Sequence, residues 1–449
     1  MSSAMSAGQR HKVVIMGAGG RDFHNFNILY RHRSDVEVVA FTAAQIPFQH
    51  GRCYPPELSG PLYPQGIPIV DEKELPVLLA TRDVEVVFSY SDISHQQLMT
   101  IASRVLALGS VFSLPAPEQT MLPAKVPVVS VCAVRTGCGK SPLVRFICKL
   151  ALQSGRRPVV VRHPMAYGEL KGRGVQRIAA DEDLQGSGWT LEEREEFEPL
   201  LALGIVVFCG VDYQRILREA EQAGDFIIWD GGNNDTPFFC PDLQLVALDP
   251  LRAGDEVYYY PGMVNLQKAD VLVINKVDEA SVDQLKTVRN NIRDYNPQAQ
   301  VIEGRLEVTL DNPQCLKGRR VVVIEDGPTV THGGMSYGAG MVAARRYGAA
   351  EIVDPRPAVK GSLRTVYQDW PHLDAVLPAM GYSSEQLEDL RKTLESIDCD
   401  LIVSATPVDL CRLLKLNKPL HQVHYEFVEL KVHNLERCIL DWLDENIGP

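Results

Sequence analysis

Lys140 and Ser141 end the run Thr136-Gly-Cys-Gly-Lys-Ser141, directly after the apolar stretch Val128 to Val134. Backbone N–H groups of such a glycine turn cradle phosphate oxygens, a lysine there reaches the β and γ phosphates, and the serine hydroxyl ligates Mg²⁺. Thr136, Gly137, Cys138, Gly139, Lys140 and Ser141 are therefore candidate nucleotide-binding residues, with Lys140 a candidate catalytic residue and Ser141 a candidate metal ligand. Val134 stands where the G-x-x-x-x-G-K-S/T pattern has its first glycine, so the loop is a variant. The bland alternative is a glycine-rich turn with an incidental Lys-Ser.

A carboxylate at the end of a buried strand downstream of a phosphate loop is the arrangement that holds the metal of a P-loop enzyme. Asp225-Phe-Ile-Ile-Trp-Asp230 has that form, which makes Asp230 the candidate Walker-B residue. Further on, Asp270-Val-Leu-Val-Ile-Asn-Lys-Val-Asp278 delivers an N-K-x-D tetrapeptide, in which Asn275 and Asp278 are presented toward a purine edge. The motif resembles the guanine-reading motif of GTPases and also occurs in adenine-using proteins, so the choice between ATP and GTP stays open.

Arg162, His163, Glu169, Lys171 and Arg173 follow the apolar run Pro158 to Val161, where ligands collect at the carboxyl ends of strands. Near the start, Gly17-Ala-Gly-Gly-Arg-Asp22 follows another strand; Arg21 and His24 accompany a turn that is either an anion site at a helix N-terminus or a plain tight turn. Asp22 replaces the third glycine of the dinucleotide fingerprint, which makes an NAD site the weakest of the three readings. Loops holding His50 and Arg52, and Glu325, Asp326, Thr331 and His332, are further candidates, the last four expected exposed at the rim of a glycine-rich loop. Thr190 and Glu193 fit a capping box, and the glutamates after Thr190 suit a helix dipole; nothing in their spacing selects one as a metal ligand.

The elements that must position these residues alternate between apolar strands and amphipathic helices, the pattern of doubly wound α/β sheets. A Rossmann-like domain over residues 1–125 is expected, then a proline-interrupted linker. Residues 126–449 are expected to form one large P-loop NTPase domain, a SIMIBI-like doubly wound sheet that includes the C-terminal strands, with Val423 to Val428 at an edge. The 449 residues carry a net charge of -12, which argues against general affinity for nucleic acid or anionic membranes. The 10 cysteines are scattered without a C-x-x-C pair and read as reduced residues of a cytoplasmic protein.

Gly19 to Phe26, Ala133 to Ser141, Arg162-His-Pro-Met165 and Thr331-His-Gly-Gly334 together resemble cyclic 2,3-diphosphoglycerate synthetase and its bacterial relatives, along nearly the whole chain. The resemblance implies an ATP- and Mg²⁺-dependent ligase that closes a phosphoanhydride within 2,3-diphosphoglycerate, releasing ADP and phosphate, and it implies a homodimer. On that route Lys140 stabilises the transferring phosphoryl group, Ser141 and Asp230 hold Mg²⁺, and Arg135 acts as an arginine supplied in cis. Arg21, His24, Arg162, His163 and Arg173 would clamp the small anionic phosphorylated substrate. The alternatives are a regulatory or metallochaperone-type GTPase acting on a protein partner, and a non-catalytic NAD sensor.

Overall fold

The protein is seen in a computed structural model that describes residues 10–43, 51–81, 83–163, 170–185, 189–331, 333–381, 383–431 and 434–448. His50, Glu169 and His332 lie outside the described residues. The fold is mixed α/β, built on two large sheets.

In the first sheet the strands run Arg52–Tyr54, Ile67–Asp71, Val36–Ala43, His11–Met16, Val84–Phe88 and Val111–Ser113 from edge to edge. All neighbours are parallel except the short edge strand Arg52–Tyr54. Continuous apolar runs such as Val13-Val-Ile-Met16 suit a sheet covered on both faces. The carboxyl end of His11–Met16 feeds the glycine turn and the helix Arg21–Asn25.

The second sheet has 13 strands. At its centre Val128–Ala133, every residue buried, lies between Phe226–Asp230 and Leu243–Leu248 in parallel register. The helix Lys140–Gln153 then packs Leu143, Val144, Ile147, Leu150 and Ala151 inward, the spacing of one helical face. Pro158–Arg162 is the other neighbour of Phe226–Asp230, and the register places Arg162 directly across from Asp230.

Two long strands carry the sheet onward. Gln300–Leu310 begins parallel to Val271–Ile274, then continues antiparallel to Leu420–Glu429, whose first residues pair in parallel with Leu401–Ser404. Leu420–Glu429 lies between Gln300–Leu310 and Leu401–Ser404 in the sheet order, yet Val423 to Val428 pair only with Gln300–Leu310, and it is Leu420 to Gln422 that pair with Leu401–Ser404. Beyond it, Arg320–Glu325 and Leu401–Ser404 have a hydrophobic core of their own with Met341, Leu390 and Leu394. The C-terminal strands therefore share the large sheet yet form a distinct packing unit at its far end.

Among the described residues no helix is long and apolar enough to cross a membrane.

Candidate active site

A cavity of about 510 Å³ opens where three regions meet: the glycine turn of the first sheet, the loop Thr136–Ser141, and the C-terminal unit around Glu325, Asp326 and Val342. Thr136, Gly137, Gly139, Lys140 and Ser141 line it. The loop is shaped by its glycines: Gly139 has φ +91°, and a Cβ there would come within 2.2 Å of the Asn275 amide. Cys138 is buried on the loop's far side, where burial pushes its thiol up.

Asn275 and Lys276 brace the loop from behind. The Asn275 side-chain amide donates to the Cys138 carbonyl (3.1 Å), and Lys276 Nζ donates to the Gly137 carbonyl (2.9 Å) and to Asp249 (2.8 Å). Arg252 adds a bond to the Thr136 carbonyl (2.7 Å). Asp278 is exposed on the turn that follows. Asn275 thus bonds to the phosphate loop, because the strand Val271–Ile274 ends beside Gly139, while Asp278 stands exposed three residues on.

Lys140 Nζ donates to the Asn233 carbonyl (2.7 Å), and the Thr136 hydroxyl donates to the Asn233 side chain (3.1 Å). The loop Asp230–Asp235 thus folds across the phosphate loop. Ser141 Oγ lies 3.2 Å from Glu196 Oε2. Glu196 also pairs with Arg162 (2.6 Å), whose other nitrogen pairs with Asp230. Burial raises the Asp230 carboxyl while Arg162 opposes that rise, and Asp230 Oδ1 is buried without a hydrogen-bond partner. An orphaned carboxylate oxygen fits a cation, although Asp230 itself is not among the residues that line the cavity. Ser141 and Glu196 line the cavity, and Arg162 joins Glu196 to Asp230; Glu196 is the glutamate that sequence spacing did not single out.

The basic residues expected to clamp an anion are mostly committed to internal carboxylates. Arg21 Nε donates to Asp235 (3.0 Å), its other nitrogens reach Thr120 and Thr236, and its guanidinium lies 4.3 Å from the Phe238 ring centre. Arg21 and His163, which is 3.0 Å from the same carboxylate, hold Asp235 at about 2 against a burial that would raise it. Arg21 therefore latches the first sheet to the second. His24 does not reach the cavity: it stacks on Phe238 at 4.0 Å, bonds to the Thr120 carbonyl, and burial drives it down to about 3. Arg173 pairs with Glu193 (2.9 Å) beside the Trp189 ring, also outside the cavity lining.

Arg135 differs from its expected role in the same way. Its guanidinium pairs with Asp92 (2.6 Å) and Asp255 and lies over the Tyr259 ring at 3.6 Å, so it faces the first sheet's loop and does not line the cavity. Asp92 also accepts from the Thr136 amide (3.3 Å), and its own amide donates to Asn234 (2.6 Å). This contact ties the first unit to the phosphate loop.

The glycine turn Gly17–Asp22 is filled by its own side chain. The Asp22 carboxylate, 4% exposed, accepts from the amides of Gly19, Gly20 and Phe23 at 2.7–3.0 Å. A Cβ on Gly17, at φ +127°, would come within 2.6 Å of it. These donors are not available to an external phosphate.

Part of the cavity lining is acidic. Glu192, Glu196, Glu325 and Asp326 all line the cavity. Glu325, expected at an exposed rim, is buried at 1% exposure, as is Thr331 at 3%. Glu325 accepts from the amides of Gly340 (3.0 Å) and Met341 (2.8 Å), capping the helix Ala339–Arg346. Burial raises both Glu325 and Asp326 to about 7, with Glu196 next in raising Asp326. This wall comes from residues far apart in the chain, and only tertiary structure assembles it.

A strand, a glycine loop and a helix that present Lys140 and Ser141 to a cavity, beside the strand-end carboxylate Asp230, define a P-loop protein of mixed α/β fold. The chain is 50% identical over 439 residues to arginine synthetase ArcE of Thermococcus kodakarensis, covering 98% of each, and it belongs to that family. Likeness to cyclic 2,3-diphosphoglycerate synthetase of Pyrococcus furiosus is 21% over 149 residues, covering 27% of this chain and 35% of that one. That resemblance is real over a part of the chain and does not extend along most of it, which makes the two synthetases related at a distance. Among solved structures, LpxK of Aquifex aeolicus in complex with ATP matches at 13% identity and TM-score 0.44, covering 77% of this chain and 95% of that one. Comparison with protein-family models finds no match.

Proposed function

We propose that this protein is an ATP-dependent synthetase whose product is arginine. The observation that carries the reading is the near-complete alignment, at 50% identity, with a relative named arginine synthetase. The charge of the cavity supports it: Glu192, Glu196, Glu325 and Asp326 in its lining suit a cationic guanidinium. The same wall weighs against 2,3-diphosphoglycerate. That polyanion would face four carboxylates, while Arg21, Arg162, His163 and Arg173 are already paired with acids.

Mg·ATP bound at Thr136–Ser141 would supply an activated phosphoryl group. Lys140 would leave Asn233 to neutralise phosphate charge, and Ser141 with Asp230 would hold the metal. Arg162 opposes the rise that burial imposes on Asp230 and orients its carboxylate. Asn275, Lys276 and Arg252 hold the loop's shape so that its donors need not reorganise.

Because the product rather than the starting material is what the relative's name specifies, the reaction is best tested in reverse. Phosphorus NMR of the protein with Mg²⁺, ADP, phosphate and arginine should show ATP signals growing as a C–N bond of arginine is cleaved, the water released by phosphoanhydride formation being consumed in that cleavage, and Lys140→Ala should abolish them. Absence of ATP there, with a cyclic-anhydride signal from ATP and 2,3-diphosphoglycerate, would replace the arginine reading. Hydrolysis of GTP indifferent to both small molecules would instead favour a switch GTPase.

A further inference from the structure

Asp92 reaches from the first unit onto the phosphate loop. It follows the strand Val84–Phe88 of the first sheet and lines the main cavity together with Thr136, Gly137 and Lys140. One of its carboxylate oxygens pairs with Arg135 Nε (2.6 Å), and the other accepts from the Thr136 amide in a longer bond of 3.3 Å. Its backbone is left-handed at φ +56°, a conformation uncommon outside glycine that persists where surrounding contacts enforce it. Asn234, fully buried, supplies such a contact: its side-chain oxygen accepts from the Asp92 amide (2.6 Å), and its side-chain amide donates to the Val134 carbonyl (3.0 Å). Beside it Asn233, also left-handed at φ +45°, accepts from Lys140 Nζ and from the Thr136 hydroxyl. Asp92 and Asn233 thus hold three donors of the phosphate loop between them.

From this geometry we infer that Asp92 sets the discrimination between ATP and ADP: the terminal phosphate of ATP takes the Thr136 amide from the Asp92 carboxylate, and ADP leaves that bond in place. The inference rests on the nucleotide reading of residues 136–141 and adds to it a residue from outside the P-loop unit. Inner phosphates belong at the N-terminus of the helix Lys140–Gln153, where free amides and the helix dipole converge. Thr136 stands four residues before that helix begins, so its amide is the donor left for the outermost phosphate. A carboxylate and a phosphate are both anionic acceptors, and like charges so close repel. The 3.3 Å bond to Thr136 is the one that yields, since the 2.6 Å pair with Arg135 is charge-assisted at both ends.

This exchange has a consequence for the first sheet. Asp92 runs directly into Ile93–Ser94, which pair antiparallel with Tyr259–Tyr260 of the second unit. Releasing Thr136 frees the residue at the head of that ribbon, so part of the binding energy of the third phosphate goes into shifting residues 89–92 in the cavity wall. ADP makes no differential contact there and cannot drive the shift.

Isothermal titration with Mg·ADP and with the Mg²⁺ complex of the non-hydrolysable β,γ-imido analogue of ATP tests this. Asp92→Asn removes the charge and keeps the shape: analogue affinity should rise fivefold or more, while Mg·ADP affinity changes less than twofold. Asp255→Asn removes the other carboxylate on Arg135 and should leave the ratio of the two affinities within twofold. Analogue affinity in Asp92→Asn that stays level, falls, or rises only in step with that of ADP would overturn the inference and leave the nucleotide reading standing. An equal selective rise in Asp255→Asn would trace the effect to Arg135 and overturn it too. No binding of either nucleotide by the natural chain would overturn both. If Asp92→Asn fails to fold, amide exchange in the natural chain decides: residues 89–94 should exchange at least threefold faster with the analogue than with Mg·ADP, and equal exchange overturns the inference.

Discussion

The chain uses a strand, a glycine turn and a helix twice, at Gly17–Asp22 and at Gly137–Ser141, and the two turns end in opposite states. In the first, Asp22 bends back and takes the amides of Gly19, Gly20 and Phe23 for itself. In the second, the side chains that follow the glycines are Lys140 and Ser141, which point to a shared cavity, and the loop is braced from behind by Asn275, Lys276 and Arg252. A glycine turn supplies donors in either case; the residue placed two or three positions later decides whether an external anion receives them. One turn has become a structural joint beside the Arg21 latch, and the other a site.

The contrast predicts where function is lost and where only stability is lost. Lys140→Ala should lower nucleotide turnover by about 10²–10³-fold, the scale for removing one preorganised charge donor, with little change in melting temperature. Asp22→Ala should do the reverse: three buried amides lose their acceptor, costing roughly 2–4 kcal/mol in urea unfolding, while the folded fraction binds Mg·ADP as before. Loss of nucleotide binding in a folded Asp22→Ala protein would mean that the first turn is a site after all.

Glu325 repeats the Asp22 arrangement at the N-terminus of Ala339–Arg346, and here titration sharpens the comparison. Burial raises Glu325 from 4.5 and Asp326 from 3.8, both to about 7. Between their ordinary values and 7 the folded protein keeps protons that the unfolded chain has released. Stability should therefore fall as pH rises from about 4 to 7 and level off above, by several kcal/mol in all. Urea unfolding across that range checks the slope, which Glu325→Gln should shrink. Arginine binding, needing ionised acids, should strengthen over the same range.

Much of this site is legible in the sequence because its central parts are local. Thr136 to Ser141 is one continuous turn, and Asp230 announces itself as the polar end of a buried strand. The rest is not local. Arg162 reads as a free cation until sheet register sets it across from Asp230. Glu196 is one of several glutamates on a helix whose capping explains their presence, and only packing against Ser141 distinguishes it. Glu325 and Asp326 lie about 190 residues after the phosphate loop, a separation bridged by two long strands that change partners midway. Basic residues proved the least legible: Arg21, Arg135, Arg162 and Arg173 stand beside loops that read as anion sites, yet each finds a carboxylate of this chain first.

N-K-x-D gives the smallest and most discriminating pair of effects. Asn275 donates to the Cys138 carbonyl and lies against Gly139, so Asn275→Ala removes a brace from the second turn. That should weaken Mg·ADP binding by about 1 kcal/mol, a single buried hydrogen bond. Asp278 is exposed and outside the cavity lining, so Asp278→Ala should change ATP and GTP affinities alike by less than about 0.5 kcal/mol. A base-reading aspartate would behave otherwise, losing one nucleotide selectively. Selective loss of GTP in Asp278→Ala would return the motif to base recognition; parallel, negligible changes would leave it as the scaffold that keeps Gly137–Ser141 open where Gly17–Asp22 is closed.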